Sequence, residues 1–398
     1  MPVYMIVVFL SIVSGIAFAL SGYTLSRLHA LWEAACPGFD QSWALIWLEK
    51  PQIWALSAAL IVSYFTIGKL LPTRPFRWLG WVSGLWMGYL ALCLFLMGPI
   101  HLIEFVLASF SLIQSTPPPV LAGLLLGTVH LAFVVGVWTA LRPPRVCAIE
   151  IQSPRIGPGL DGLRILQLSD VHIGPTIGHG LIEHLHRRCA ELAPDLIVMT
   201  GDLVDGEPRF LEAEVKRFLA LEKYAAHGLY FITGNHEYIS GAAPWVEFIR
   251  RHGIRVLENE HVTLTIDGDA LHLIGIEDWD ARRFDPSRAP HLEKALSGIE
   301  QSSAFKLLLA HQPKAARQAS ELGIDLQLSG HTHAGQLFPL NVLIHLDQPY
   351  CHGRYQLDAL TLYVNAGTGY WGPPLRLGTR AEMTMFTLRH APVAPSGQ

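Results

Sequence analysis

The chain has 398 residues, a formal net charge of −4 and only 16% charged residues. It is long enough for more than one domain and lacks the basic footprint of a nucleic-acid binder, so no nucleic-acid partner is expected. Its mean hydropathy of +0.32 is high for a soluble protein, and five cysteines without a CxxC spacing argue against a disulfide framework or a thiolate metal site.

The charge is unevenly placed. Residues 1–141 hold only nine Asp, Glu, Lys and Arg side chains. A membrane span needs about 20 predominantly apolar residues, and the stretches 3–22, 53–71, 78–98 and 120–141 qualify. The first does not read as a cleaved signal, because it has no basic leader and further apolar stretches follow. A shorter stretch, 101–115, carries His101 and Glu104 and reads as a fifth span or an interfacial helix. Glu104 is also the one acid available to a transport reading. With four spans and the N-terminus inside, Lys69, Arg74, Arg77, Arg142 and Arg145 lie inside, against Arg27 and Lys50 outside. Five spans give a weaker bias in either orientation. The expectation is a multi-pass inner-membrane protein whose soluble part is cytoplasmic. "LRPPR" (141–145) reads as the exit from the membrane into a stiff linker, 142–160.

From about residue 148 the pattern changes. Strand-like runs at 163–169, 195–200, 228–233, 270–276, 305–310, 325–329, 361–367 and 382–388 alternate with helical stretches. Those helical stretches fall near 178–192, 208–225, 242–252, 288–300 and 313–321. Continuous apolar runs between amphipathic helices predict buried strands of an α/β domain over 161–390. Residues 391–398 read as a tail.

Five of these runs end in polar residues. They are Asp170 and His172, then Asp202 with Asp205 three further on, then Asn235, His236 and Glu237, then His311, then His331 and His333. In open α/β sheets ligands gather at the C-terminal strand ends. Taken singly, His172 or His311 reads as a satisfied core histidine and Asp202 as a helix cap. Together, and in this order, carboxylate, imidazole and carboxamide without sulfur suit a two-metal centre of Mn, Fe, Zn or Co. Such a centre acidifies a water and clamps the oxygens of an in-line phosphoryl displacement.

The string "DVH…GDLVD…GNHE…H…GHTH" resembles the calcineurin-like metallophosphoesterase family over roughly residues 160–390. Within it, the chain is most similar to a bacterial branch with N-terminal membrane segments. The resemblance implies an N-terminal helical transmembrane region followed by a four-layer β-sandwich flanked by helices, with the metals at one edge. It implies two divalent ions, manganese first among them. Asp170, His172, Asp202 and His333 would hold one ion. Asn235, His311 and His331 would complete the other, with Asp202 bridging. His236 would contact the phosphate and protonate the leaving oxygen. Glu237 is read as support for His236, and Asp205 as a supporting or loop residue rather than a ligand.

The membrane segments favour a lipid-linked phosphate, and a related branch cleaves UDP-2,3-diacylglucosamine on the cytoplasmic leaflet. Polyprenyl pyrophosphate and phospholipid phosphodiesters are rival substrates. A membrane scaffold or sensor with a structural metal site is the non-enzymatic rival. The expected partners are the bilayer and the phosphorylated substrate; the sequence leaves the oligomeric state open. The run "LFPLNVLIHLDQPY" (337–350), directly after "GHTHAGQ", reads as an apolar lip for an acyl chain or the bilayer. Arg376, in "GTGYWGPPLRLG", is a candidate phosphate contact.

Overall fold

A computed structural model describes residues 3–36, 47–70, 77–110, 118–299 and 304–391. Arg74, the end of the 101–115 stretch and all but the first residue of the tail lie outside them. The chain forms two units. One is built on the residues up to Leu141 together with Gly372–Leu377, the other on Arg142–Trp371 and the residues from Gly378 onward.

The first unit holds helices α1 (Val3–Ala35), α2 (Pro51–Leu70), α3 (Arg77–Ser109) and α4 (Pro119–Leu141). Leu25 and Leu28 of α1, Leu90 and Cys93 of α3, and Leu126 and Val129 of α4 share one apolar cluster. Among the described residues, α3 and α4 are long and apolar enough to cross a membrane. Residues 101–109 are not a separate element: α3 continues through Pro99 to Ser109. Glu104 lies 3.6 Å from Arg27 as an ion pair. The stretch Gly372–Leu377 is held among these helices. Tyr64 Oη donates to the Gly372 carbonyl at 2.5 Å, and the Arg376 N–H donates to the Gly136 carbonyl at 2.9 Å.

The second unit is a four-layer α/β sandwich. Its strands are β1 (Arg145–Ser153), β2 (Arg164–Leu168), β3 (Leu196–Met199), β4 (Leu229–Phe231), β5 (Arg255–Val256) and β6 (Glu260–Ile266). They continue as β7 (Asp269–Gly275), β8 (Phe305–Leu309), β9 (Leu326–Ser329), β10 (Gly353–Leu357), β11 (Leu360–Val364) and β12 (Glu382–His390). One sheet has the order β1-β12-β2-β3-β4-β5 and the other β10-β11-β9-β8-β7-β6. The stretch read as a linker therefore contains β1, which pairs in parallel with β12 from Arg145↔Glu382 to Ser153↔His390. Only Arg142–Pro144 separate it from α4. The reason is apolar alternation: Ile151, with Ile149 packed against the cluster, turns into the core between the sheets.

Side chains alternate across each strand. Ile165, Leu196 and Val198 face Leu307, Leu309, Leu326 and Leu328 between the sheets. Leu166, Leu168, Ile197 and Met199 face the other way, against α5 (His179–Leu192), α6 (Pro208–Leu219) and the helix 242–251. On the far side, Ile274, Leu308 and Leu362 pack on Leu292, Ala316 and Ala319.

A buried carboxylate ties the two sheets together. The Glu382 side chain is wholly buried. It accepts hydrogen bonds from Tyr363 Oη at 2.8 Å, the Ala366 N–H at 3.1 Å and Arg145 Nη2 at 3.2 Å. Burial alone would raise its pKa, but His352, Tyr363 and the Ala366 N–H hold it down at about 2, against the ordinary 4.5. A depressed carboxylate pKa contributes stability above the unfolded value and loses it as pH falls toward the folded one. That difference corresponds to about 3 kcal/mol. Glu382→Gln is therefore expected to melt at lower temperature than the parent at neutral pH. The gap should narrow as pH falls from about 4.5 toward 2, a trend readable in thermal melts of the full-length protein.

Candidate metal centre

β2, β3 and β4 run parallel in one sheet, and β7, β8, β9 and β11 in the other. Their C-terminal ends converge on one edge. Asp170 and His172 follow β2, Asp202 follows β3, Asn235 and His236 follow β4, His311 follows β8, and His331 and His333 follow β9. Five of these leave their strands in the left-handed region: Asp170 (φ 51°), His172 (53°), Asp202 (56°), His331 (71°) and His333 (51°). That region costs a non-glycine residue about 1–2 kcal/mol, and such strain collects where side chains must be aimed. Gly201 has φ 90°, and a Cβ there would lie 2.7 Å from the Gly234 nitrogen and from His311 Nδ1. Only glycine lets Asp202 approach this closely.

The side chains of these residues meet at this edge. His172 Nε2 lies 3.0 Å from His333 Nε2, and His333 Nε2 lies 3.4 Å from Asp170 Oδ1. Asn235 Oδ1 lies 3.2 Å from His311 Nε2 and 3.0 Å from His331 Nδ1. Asp202 Oδ2 lies 3.2 Å from His311 Nε2 and 3.9 Å from His172 Nε2. Asp170–His172–His333 and Asp202–His311–His331 each form a group with metal-binding spacing. Asp202 also groups with His172 and His236, so it stands between the two sets.

The outer atoms of the imidazoles fit the same purpose. His172 Nδ1 is 2.8 Å from Asp205 Oδ1, and His311 Nδ1 is 2.7 Å from the Thr200 carbonyl. Each contact makes Nδ1 the donor and turns Nε2 inward, the arrangement that metal-binding histidines use. The donor set is nitrogen and oxygen with no sulfur, which suits Mn, Fe, Zn or Co. Burial and the neighbouring His311 pull His331 down to about 3, so its imidazole is neutral, the form a metal ligand requires. Burial would lower His311 too, but Asp202 drives it well above its ordinary value. A proton held there is one that metal binding would release.

Below the ligands lies a chain of buried hydroxyls. Gln167 Nε2 donates to Thr200 Oγ1 and to the Ser329 carbonyl, both at 3.0 Å. Thr200 Oγ1 donates to Ser169 Oγ at 2.7 Å, and Ser169 Oγ to Asp170 Oδ2 at 2.5 Å. Nothing in their sequence pattern marks these residues apart from other strand-end polar residues.

Two supporting carboxylates divide their work differently from the sequence expectation. Glu237 does not touch the His236 side chain. It accepts the N–H groups of Asp202 (2.9 Å), Leu203 (2.8 Å), Val204 (3.3 Å) and Gly234 (2.7 Å). It therefore shapes the turn that presents Asp202. Asp205 orients His236 instead: its Oδ1 lies 2.6 Å from His236 Nδ1. One carboxylate oxygen thus serves both His172 and His236. Burial would lower the His236 pKa, but Asp202 and Asp205 raise it to about 9. The imidazolium form at neutral pH is what a donor to a leaving oxygen needs. The His236 ring also packs edge-on to Trp371, with centroids 5.9 Å apart.

Arg376 groups with Gly372–Leu377 in the helical unit and is wholly buried.

Comparison with known proteins agrees with this geometry. The family model for calcineurin-like phosphoesterases matches residues 163–335. A transmembrane protein with metallophosphoesterase domain from Danio rerio is 35% identical over 83% of this chain and 78% of its own length. A protein of the same description from Bos taurus is 40% identical over 65% of this chain and 60% of its own length. A solved dimetal phosphatase from Danio rerio aligns over 57% of this chain and 99% of that one, at 11% identity and a TM-score of 0.39. The chain belongs to the calcineurin-like phosphoesterase family and is a metal-dependent phosphoesterase. Its apolar helices and the description of these relatives associate it with a membrane.

Two divalent ions, when bound, acidify a water and neutralise charge on the phosphate. The chain's own residues do the rest. Asp205 fixes the His236 ring through Nδ1, and the raised pKa of His236 would let it donate a proton to a departing oxygen.

Proposed function

We propose that this chain is a membrane-anchored dinuclear phosphohydrolase that uses manganese and cleaves a phosphoester or pyrophosphate bond in a lipid-linked substrate. UDP-2,3-diacylglucosamine is the first candidate. Asp170, His172, Asp202 and His333 hold one ion, and Asn235, His311 and His331, with Asp202 bridging, hold the other. The chain is multi-pass, and its basic residues near the span ends favour a cytoplasmic site at the inner membrane. This matches the bacterial membrane-anchored branch of the family.

One observation carries the lipid reading. The segment that follows His331 and His333 exposes Phe338, Val342, Leu343 and Leu346, the last 86% exposed. Burying an exposed leucine against an acyl chain is worth about 2 kcal/mol, and a soluble phosphate ester gives that gain no partner.

The test is hydrolysis by the purified full-length protein with manganese. The panel is a UDP-linked diacyl sugar, a polyprenyl pyrophosphate, a phospholipid and a soluble aryl phosphodiester. The expected result is kcat/KM for one lipid at least about tenfold above the soluble ester, as about 1.4 kcal/mol of extra binding would give. Equal turnover of all four would overturn the lipid-linked reading.

A further inference from the structure

The apolar exposure is wider than the segment after β9. The other exposed large apolar side chains described in the phosphoesterase unit are Ile239, Trp279, Phe284 and Trp371. Ile239 follows β4, Trp279 and Phe284 follow β7, and Trp371 follows β11. With the segment after β9, four separate loops bring apolar side chains to the edge that carries the metal ligands. Among the described residues, the loops at the opposite edge expose none. Trp279 and Phe284 are about half exposed, and Arg282 and Arg283 between them are exposed as well. Tryptophans beside cations are typical of a lipid–water interface.

Chain connectivity selects the occupant. β12 is antiparallel to β2, and β1 is parallel to β12, so both begin at the site edge. The chain crosses between units after Leu141, after Trp371 and after Leu377. The first crossing is three residues before β1. The second follows the C-terminal end of β11, and the third is a short lead into β12. All three crossings therefore leave or enter the phosphoesterase unit at the edge with the apolar rim, on the way to or from the unit whose helices α3 and α4 are long and apolar enough to span a membrane.

We propose that this rim is a bilayer-docking surface: the loops after β4, β7, β9 and β11 enter the lipid–water interface, so the metal centre meets phosphates there rather than in free solution. This deepens the lipid-linked reading above and rests on it. The test uses the full-length protein in phosphatidylcholine vesicles, with and without a doxyl-labelled phosphatidylcholine. An environment-sensitive fluorophore is placed at Phe284→Cys, at Leu346→Cys and, at the opposite edge, at Asp358→Cys. The unsubstituted protein, labelled in parallel, gives the background of its five cysteines. The expected result is blue-shifted emission at 284 and 346, quenched by the doxyl lipid at least about twofold more than at 358, as insertion of a few ångströms into the acyl boundary requires. Emission at 284 and 346 as water-exposed and unquenched as at 358 would overturn the docking surface. Quenched labels without hydrolysis of any lipid would support the rim and overturn the substrate reading. Lipid hydrolysis with unquenched labels would do the reverse.

Discussion

Asp202→Asn is expected to lower turnover at least about 10³-fold, because metal assistance supplies several kcal/mol and each 1.4 kcal/mol is tenfold. The substitution keeps the shape and removes the charge. Asp202 Oδ1 accepts the His236 N–H at 2.8 Å, and an amide oxygen still can. What is lost is the anion that lies between the two ligand sets. Nearby His311 loses the partner that raises its pKa, so both ligand sets are disturbed at once. Steady-state kinetics and circular dichroism on the same preparation check it. A fully active, folded variant would contradict the bridging assignment.

The second large effect falls on the pair Asp205 and His236. Removal of a general acid costs about 10²–10⁴ in rate, and His236→Asn should fall in that range. Asp205→Asn should cost about 10², because a positioning residue acts through the group it holds. The double variant should be little slower than His236→Asn alone, since residues acting as one unit are not additive. Loss of the Asp205 charge also lowers the His236 pKa, so the alkaline fall in kcat/KM should move to lower pH. Additive losses, or an unmoved pH profile, would show that Asp205 serves His172 only.

Most of the sandwich was legible in the sequence, and the failures share a cause. The recognised strands, β2, β3, β4, β7, β8, β9, β11 and β12, are interior strands of the two sheets, and they read as mostly apolar runs. The four that were missed, β1, β5, β6 and β10, are the edge strands of the two sheets. An edge strand buries less, so its apolar run is broken by polar residues. In β6, "EHVTLTI", the exposed and half-buried positions interrupt the signal. The better clue there was Asp267-Gly268, both with positive φ, which closes the hairpin to β7.

The site was legible because its residues stand on glycine-flanked strand ends in a fixed order. The roles of Glu237 and Asp205 were not. Which carboxylate reaches a backbone N–H and which reaches an imidazole depends on how the turns at Gly201 and Gly234 fold back. Sequence spacing does not record that.

The central claim is that this edge holds two metal ions sharing Asp202. Elemental analysis of the full-length protein, after loading with manganese and removal of excess, measures it directly. About two ions per chain are predicted for the unsubstituted protein, with at least one lost in Asp202→Asn. One ion or none in the unsubstituted protein, or an unchanged content in the folded variant, would contradict the shared centre.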